Sequence, residues 1–313
     1  MMFSNYLQIV VFVLSILKIS TITCNDNGQI TVWQERKVVH SKFATQGRSD
    51  RMEESPLDIE DVNGTGIYGI FDGHSGNFSA FYAAEKLAKS IETHLKKPNS
   101  NPFGQLSTEQ MLWYVIHEME GKLEGENNIG IPHDSGTTCL LVIAEKTTLT
   151  VANVGDSRCV MCNSHGVAFN LSTDHKPNNN NERKRIEIMG GEIKEFDGKL
   201  RVKGLTTTRT LGDTRIKTSE GGHGIIHTPD IFVYKLKDYQ PRFMILASAG
   251  LWDVISNQDA VNIIKPCLNE KYFGANRLVA EAIRKGSMDN ITVLIVRFFN
   301  GQYDLKGANG QPV

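Results

Sequence analysis

The chain has 313 residues, of which 40% are hydrophobic, enough to bury a large core. The 34 Lys and Arg residues nearly balance the 35 Asp and Glu residues, which leaves a formal net charge of −1. A chain of this charge has no broad positive field that attracts nucleic acid or an anionic membrane surface, so we expect neither as a partner. No linker rich in Pro, Gly or Ser divides the chain, which favours one domain.

An apolar run near the beginning of the chain, residues 9–17, is too short to span a bilayer but has the length of a signal-peptide core. Ser20 and Thr23 are small enough to permit cleavage near Cys24, although no Lys or Arg precedes the run. We therefore expect residues 1–24 to be a signal peptide that directs the chain to the secretory pathway or out of the cell. A membrane-anchored N-terminus and a cytoplasmic chain are the alternatives.

The first half of the chain predicts strands followed by two helices. Residues 30–39 alternate as a strand does, and residues 67–71 form a short apolar run that ends at a turn. Apolar residues then recur at helical spacing over residues 78–95. Ser107 and Gln110 resemble a capping box at the start of a second amphipathic helix.

The second half predicts many short elements. Four apolar runs indicate an antiparallel meander, at residues 137–144, 148–154, 159–162 and 167–171. We expect a polar loop, a helix and a mobile glycine-rich loop, at residues 178–181, 182–189 and 217–227. Two strands, two helices and a last strand follow, at residues 231–236, 243–247, 258–268, 275–285 and 291–298. Runs of strands separated by helix pairs favour stacked antiparallel sheets covered by helices, an α+β fold.

Five cysteines are too few for a disulfide scaffold at this length. Cys159 and Cys162 have the spacing of a redox or zinc site, but they lie in an apolar run typical of a strand. Side chains three positions apart in a strand point to opposite faces, so the two sulfurs would diverge. We interpret both as buried small residues.

Acidic residues stand at the apparent ends of several strands. They occur in Phe71-Asp72-Gly73-His74, in Gly155-Asp156-Ser157-Arg158 and in Met288-Asp289-Asn290. Carboxylate and carbonyl oxygens are the ligands that hard divalent cations prefer. Further motifs appear along the chain: Arg51-Met52-Glu53-Glu54, Asp134-Ser135-Gly136-Thr137-Thr138, Thr173-Asp174-His175-Lys176-Pro177, Glu182, Arg185-Ile186, Gly190-Gly191, Thr208-Arg209-Thr210-Leu211-Gly212-Asp213 and Pro229-Asp230.

With these motifs in this order, residues 41–298 resemble the metal-dependent protein serine/threonine phosphatases (PPM family, type 2C). The resemblance implies an α/β/β/α sandwich, in which two stacked antiparallel sheets are flanked by helices. It implies one phosphatase domain over residues 25–299, and we expect residues 300–313 to form a loose tail.

In that family two Mg²⁺ or Mn²⁺ ions share an aspartate and hold the water that attacks phosphorus. By motif match, the resemblance implies that Asp72 is the shared ligand. It implies the Gly73 carbonyl and Asp289 as further ligands, and Asp156 as a ligand of an additional, weaker ion.

The same resemblance implies that His74 is the general acid, which protonates the leaving serine or threonine oxygen. The alternative is a buried histidine that packs a strand-helix corner. Supporting roles around the ligands are implied for Glu53, Glu54, Asp253 and Asn290. Arg209 and Asp213 are expected to be structural.

Three positions depart from the family pattern. Ala249 stands where the family has a metal-binding aspartate, and Glu54 replaces a neighbouring aspartate. Ser49 occupies the position of the arginine that binds phosphate. Arg48 or Arg51 could reach the phosphate instead, if the loop shifts its register.

Two functions fit this pattern. The first is metal-dependent dephosphorylation of phosphoserine and phosphothreonine proteins by a monomer whose turnover is impaired. The second is a catalytically inactive pseudophosphatase, which binds phosphoproteins or regulates them. A metal-binding structural protein of the secretory pathway would explain the leader but not His74.

Overall fold

The structure is a computed structural model. It describes residues 23–24, 30–36, 39–97, 106–125, 134–219 and 224–305, and for the first two of these ranges it describes the backbone alone. Residues 1–22, which hold most of the predicted signal peptide, lie outside the described residues. Part of the predicted glycine-rich loop, residues 220–223, does so as well.

The described strands are β1 (Thr23–Cys24), β2 (Ile30–Arg36), β3 (His40–Thr45), β4 (Ser55–Val62), β5 (Thr65–Phe71), β6 (Gly73–His74), β7 (Gly136–Thr137), β8 (Cys139–Ala144), β9 (Thr148–Val154), β10 (Arg158–Cys162), β11 (Ala168–Asn170), β12 (Ile193–Phe196), β13 (Lys199–Val202), β14 (Leu211–Gly212), β15 (Asp230–Lys235), β16 (Phe243–Ala247) and β17 (Ile291–Arg297). The described α-helices are α1 (Phe78–Lys96), α2 (Thr108–Gly125), α3 (Asn180–Ile188), α4 (Thr214–Thr218), α5 (Leu236–Tyr239), α6 (Ala249–Trp252), α7 (Asn257–Ile264) and α8 (Ala275–Arg284). Across the described ranges, none of these helices is both long and apolar enough to cross a membrane.

Two antiparallel sheets form the centre of the fold. One has seven strands in the order β1-β2-β3-β17-β16-β10-β11, and the other has five in the order β15-β9-β8-β5-β4. Their facing sides share one apolar core, to which β8 contributes Leu140 and β16 contributes Leu246. The outer faces are covered by α1 and α2 on the five-stranded sheet and by α7 and α8 on the seven-stranded sheet. The predicted α/β/β/α sandwich is therefore confirmed.

The helices form where apolar residues recur at helical spacing. In α1 the buried positions include Ala80, Ala83, Leu87 and Ile91, which lie on one stripe against the sheet. The predicted capping box at the start of α2 is present, because the Ser107 and Gln110 side chains each accept the other residue's backbone N–H.

The four strands of the predicted meander are present, but they do not belong to one sheet, so the prediction of a meander is wrong. Strands β8 and β9 pair in the five-stranded sheet, whereas β10 and β11 pair in the seven-stranded sheet. The chain changes sheets at Gly155, whose φ of +112° is in the region that favours glycine. Apolar runs buried on both faces are compatible with either sheet, so their pattern does not show this crossing.

Smaller differences concern boundaries and the tail. Helix α3 begins at Asn180, inside the predicted polar loop, because the Asn179 side chain accepts the N–H of Asn181 and caps it. Helix α4 occupies the start of the predicted glycine-rich loop. Residues 300–305 pack on the domain, since Tyr303 is 2% exposed and bonds to the Tyr68 hydroxyl at 2.8 Å.

Candidate active site

Turns at one end of the sandwich bring acidic residues together. Asp72 directly follows β5 of the five-stranded sheet, and Glu54 directly precedes β4. Asp289 lies two residues before β17 of the seven-stranded sheet, and Ala249 lies two residues after β16. Two contacts join the sheets here: the Ala249 N–H donates to Oδ2 of Asp72, and the Thr292 hydroxyl donates to Oε2 of Glu54.

Asp72 is the centre of this acidic cluster. Its backbone is fixed by two bonds to Thr138, one from the Asp72 N–H to the Thr138 hydroxyl and one from the Thr138 N–H to the Asp72 carbonyl. Burial raises the pKa of Asp72 well above its ordinary value, and the negative charges of Glu54, Asp289 and Asp156 raise it further. A cation placed among these carboxylates would remove that mutual repulsion.

Glu54 is fully buried and only partly satisfied. Burial raises its pKa to about 8, the Thr292 hydroxyl opposes this rise, and the charge of Asp289 adds to it. Its second oxygen, Oε1, has no hydrogen-bond partner among the described residues. A buried carboxylate oxygen without a donor is an available ligand for a hard cation or for a water that the cation holds.

Asn290 connects the Asp289 turn to the loop that contains the predicted Glu53. Its Oδ1 accepts the Glu53 N–H at 2.9 Å, and its Nδ2 donates to the carbonyls of Gln46 and Arg51. Glu53 in turn accepts the Gly76 N–H at 2.7 Å. Both residues thus hold the loops around the cluster.

Gly73 and Ala249 sit in contrasting surroundings. A Cβ atom added at Gly73 would lie 2.3 Å from the Glu53 carbonyl oxygen, so the strand-helix turn needs glycine there. Ala249 has no polar side chain, and it contacts Asp72 through its backbone N–H at 3.2 Å. The position therefore supplies Asp72 with a hydrogen bond and offers no carboxylate to a metal.

Asp156 and Asp253 face a lysine. The ammonium of Lys176 lies 2.6 Å from Oδ1 of Asp253 and 3.5 Å from Oδ2 of Asp156. Lys199, on the exposed hairpin β12–β13, donates to the other oxygen of Asp253 at 3.1 Å. Asp253 thus accepts hydrogen bonds from two other segments of the chain, and Asp156 lies close to the same ammonium.

His74 is paired with Asp213, a residue that was expected from the sequence to have only a structural role. Nε2 of His74 lies 2.9 and 2.8 Å from the two oxygens of Asp213, which is fully buried. A Cβ atom at Gly136 would lie 2.1 Å from Asp213 Oδ2 and 2.4 Å from His74 Nε2, so the missing side chain leaves room for the pair. The motif Gly212-Asp213 was visible in the sequence, but its partner was not.

The three residues around the missing phosphate arginine lie on the rim. The guanidinium of Arg48 is 3.6 Å from the sulfur of Met288, next to Asp289. The Ser49 carbonyl accepts from the Gln46 side chain, and Arg51 is exposed. Arg48 thus contacts the residue that precedes Asp289.

Within the residues that the structure describes, no three His, Cys, Asp or Glu side chains form a group that could hold a metal ion by themselves. The donors present still fit the chemistry of a hard cation, because they are oxygen atoms of mutually repelling carboxylates and include the unpartnered Oε1 of Glu54. Backbone carbonyls and water would have to complete such a site.

Comparisons with known proteins agree with the fold and with the motifs. The family model described as Protein phosphatase 2C matches residues 39–291. Protein phosphatase 1L of Bos taurus is 41% identical over 277 residues, which cover 86% of this chain and 74% of that protein. Probable protein phosphatase 2C 59 of Arabidopsis thaliana is 35% identical over 296 residues, or 92% of this chain and 89% of that protein.

Two solved structures show the same fold at low sequence identity. A serine-threonine phosphatase 2C from Toxoplasma gondii has a TM-score of 0.69 at 22% identity, covering 86% of this chain and 99% of that one. A sex determining protein of C. elegans has a TM-score of 0.73 at 22% identity, covering 87% of this chain and 68% of that one. From the family match and the two relatives, the chain belongs to the protein phosphatase 2C family. Members of this family are metal-dependent serine/threonine phosphatases that generally use Mg²⁺ or Mn²⁺.

Proposed function

We propose that the chain dephosphorylates phosphoserine and phosphothreonine proteins in a metal-dependent reaction, with turnover reduced by Ala249. The observation that carries this proposal is the His74–Asp213 pair next to the acidic cluster. A histidine that must donate a proton benefits from a buried carboxylate partner, which stabilises its protonated form.

The proposed reaction needs a metal ion, a proton donor and a group that binds the phosphate. Asp72 and Asp289, with the Gly73 carbonyl, would hold a divalent ion, which supplies positive charge to the phosphoryl oxygens and activates water. Asp213 holds the His74 ring and stabilises its protonated form, from which the proton passes to the leaving oxygen. Arg48 is the guanidinium best placed to meet the phosphate, in place of Ser49.

A pseudophosphatase is the second candidate, and a specific observation favours it. The missing ligand at Ala249 and the missing arginine at Ser49 both affect the same phosphoryl group. A groove of about 690 Å³ beside the cluster has Lys176 and Lys199 on its walls, and both of them are paired with Asp253. A fold with this groove could bind a phosphorylated segment without cleaving it.

Hydrolysis of a phosphothreonine peptide by the purified chain in Mn²⁺ tests the proposal. We expect slow hydrolysis that Asp72→Ala abolishes, whereas the control Asp134→Ala, at an exposed aspartate paired with Arg215, leaves it unchanged. Peptide binding without hydrolysis would favour the pseudophosphatase. If the folded chain neither binds nor hydrolyses the peptide, both functions are contradicted.

A further inference from the structure

Strand β15 forms one edge of the five-stranded sheet. Within the described ranges its sole strand partner is β9. The Leu236 N–H donates to the Thr147 carbonyl at 2.9 Å, one step beyond the last pair of the β15–β9 register. Because antiparallel strands exchange hydrogen bonds at alternate residues, the backbone groups that point away from β9 are those of Ile231, Val233 and Lys235.

The same edge is apolar on both faces. Ile231 packs toward the helices, and Tyr234 packs toward the core between the sheets. Phe232 and Val233 are 41% and 43% exposed. Edges that remain unpaired usually carry an inward charge, a proline or a bulge, and β15 has none of these between its two ends. Between its two ends, β15 therefore lacks the features that usually keep an edge strand from pairing.

A surface pocket of about 500 Å³ adjoins one end of this edge on the helix side. Its lining consists of Leu106, Glu109, Gln110, Trp113, Tyr114 and Ile231. The walls are largely apolar, Trp113 is 51% exposed, and Glu109 supplies an exposed carboxylate. Such a pocket suits a lysine, whose methylene stem packs on apolar walls while its ammonium reaches a carboxylate.

We propose that β15 pairs with β15 of a second copy of this chain, so that the two five-stranded sheets join into one. A twofold axis perpendicular to the joined sheet leaves each side chain on its own side of that sheet. Residues on the helix side of one copy therefore lie beside residues on the helix side of the other. Centred on Val233, this register pairs Val233 with itself and Ile231 with the copy's Lys235. All three outward-pointing residues then exchange backbone hydrogen bonds.

The two faces of this register are self-complementary. On the helix side, the copy's Lys235 lies opposite Ile231, at the pocket that contains Glu109, and the twofold axis repeats this contact at the other end. On the other face, Phe232 lies opposite the copy's Tyr234, a favourable aromatic cross-strand pair. The same chain thus supplies both members of the charge pair and both apolar surfaces, which favours a second copy over an unrelated partner.

A monomer was expected from the sequence, and the exposed edge leads us to this different conclusion.

Sedimentation velocity of the full chain over a range of concentrations tests the dimer. We expect a dimer fraction that rises with concentration and is lost in Val233→Lys, which places two like charges on the twofold axis. The matched control is Ile188→Lys on α3, where the native side chain is 86% exposed, and it should leave the dimer unchanged. Far-ultraviolet circular dichroism shows whether each variant folds.

Charge reversal tests the register. Lys235→Glu and Glu109→Lys should each weaken the dimer, and the double variant should restore it, because the pair is re-formed with its signs exchanged. A chain that stays monomeric at every concentration would overturn the proposal, as would a dimer that survives Val233→Lys. Failure of the double variant to restore the dimer would reject this register. Binding of an unrelated apolar peptide by a monomeric chain, lost in Val233→Lys, would assign the edge to another partner.

Discussion

Asp213 and His74 form a carboxylate–imidazole pair across 139 residues of chain, with 2.8 Å between Oδ2 and Nε2. Burial by itself lowers the pKa of His74, but the hydrogen bond and the charge of Asp213 outweigh it and raise the pKa above its ordinary value. The backbone of Asp213 is left-handed, with φ of +51°, a conformation that costs a non-glycine residue free energy. The fold thus holds Asp213 in a strained conformation in contact with the candidate acid.

Replacement of either member of this pair should slow hydrolysis of a phosphothreonine peptide. We expect His74→Asn to lower kcat by about 10²-fold or more, the usual contribution of a general acid, and Asp213→Asn to lower it less. The same variants should lose far less activity on p-nitrophenyl phosphate, because its leaving group needs no proton. Steady-state kinetics with both substrates check this.

The control for that comparison is Asp134→Asn, which neutralises an exposed aspartate and should change neither rate. Equal losses on the two substrates would show that the His74 variant disturbs the site as a whole. In that case His74 would not be the acid.

Ala249→Asp should increase affinity for Mn²⁺, because it returns an oxygen ligand and a negative charge beside Asp72. Loss of a residue that only supports a metal ligand typically costs about 10–100-fold in metal affinity, so a restored direct ligand should change it by at least as much. Isothermal titration calorimetry measures the change, and Ala249→Asn is the neutral control that adds oxygen without charge. Affinity that is the same in all three proteins would show that position 249 does not face the ion.

A double variant that adds Ser49→Arg to Ala249→Asp should hydrolyse the peptide faster than either single variant. The ion and the guanidinium act on the same phosphoryl group, so their effects should be coupled. A folded double variant that is as slow as the parent would locate the defect elsewhere in the site.

Acid should destabilise the domain through Glu182. Burial alone would raise the pKa of Glu182, but hydrogen bonds from Arg209, Arg185 and Thr208 lower it to about 2. A depressed pKa means that this stabilisation is present above the ordinary value of 4.5 and is lost as the pH falls toward 2. The loss between pH 5 and pH 3 should be about 2 kcal/mol, measurable by urea unfolding at those two pH values.

Glu182→Gln should be less stable than the parent at pH 5 and should lose less stability between the two pH values. Glu187→Gln, an exposed position on the same helix, should behave as the parent does. An identical acid dependence in Glu182→Gln and the parent would show that other groups cause it.

The apolar run at residues 9–17 should direct the chain into the secretory pathway of eukaryotic cells, with processing near Cys24. Thr23 and Cys24 form β1, which pairs with the edge of β2, so cleavage there would remove an edge strand and leave β2 at the edge of the sheet. N-terminal sequencing measures the outcome. A cytosolic protein that retains Met1 would reject the signal peptide.

Much of the sandwich could be predicted from the sequence, because its central strands are apolar on both faces and its long helices have one apolar stripe. Strands β8 and β9 are buried almost throughout, and α1 buries one face. The hairpin β12–β13 was missed because β12 is largely exposed and lacks an apolar alternation. Burial requires apolar residues, and their pattern is what identifies a strand in the sequence. Exposed strands lack that pattern.

Contacts between distant segments could not be predicted from local pattern. Lys176 and Asp253 are 77 residues apart, and nothing near either residue indicates that they form an ion pair. The partner of His74 was hidden for the same reason, although both motifs were recognised. Family motifs located the acidic residues, and the folded chain was needed to show which side chains engage them.

Cys159 and Cys162 belong to different cores, one between the sheets and the other under the helices, so β10 would have to be disrupted before their sulfurs could meet. Cys139 and Cys267 are buried as well, and none of these four cysteines is in a disulfide. As far as these four cysteines are concerned, the fold depends on no disulfide, whether its surroundings oxidise thiols or keep them reduced. Export to an oxidising compartment thus requires no new crosslink among these four residues.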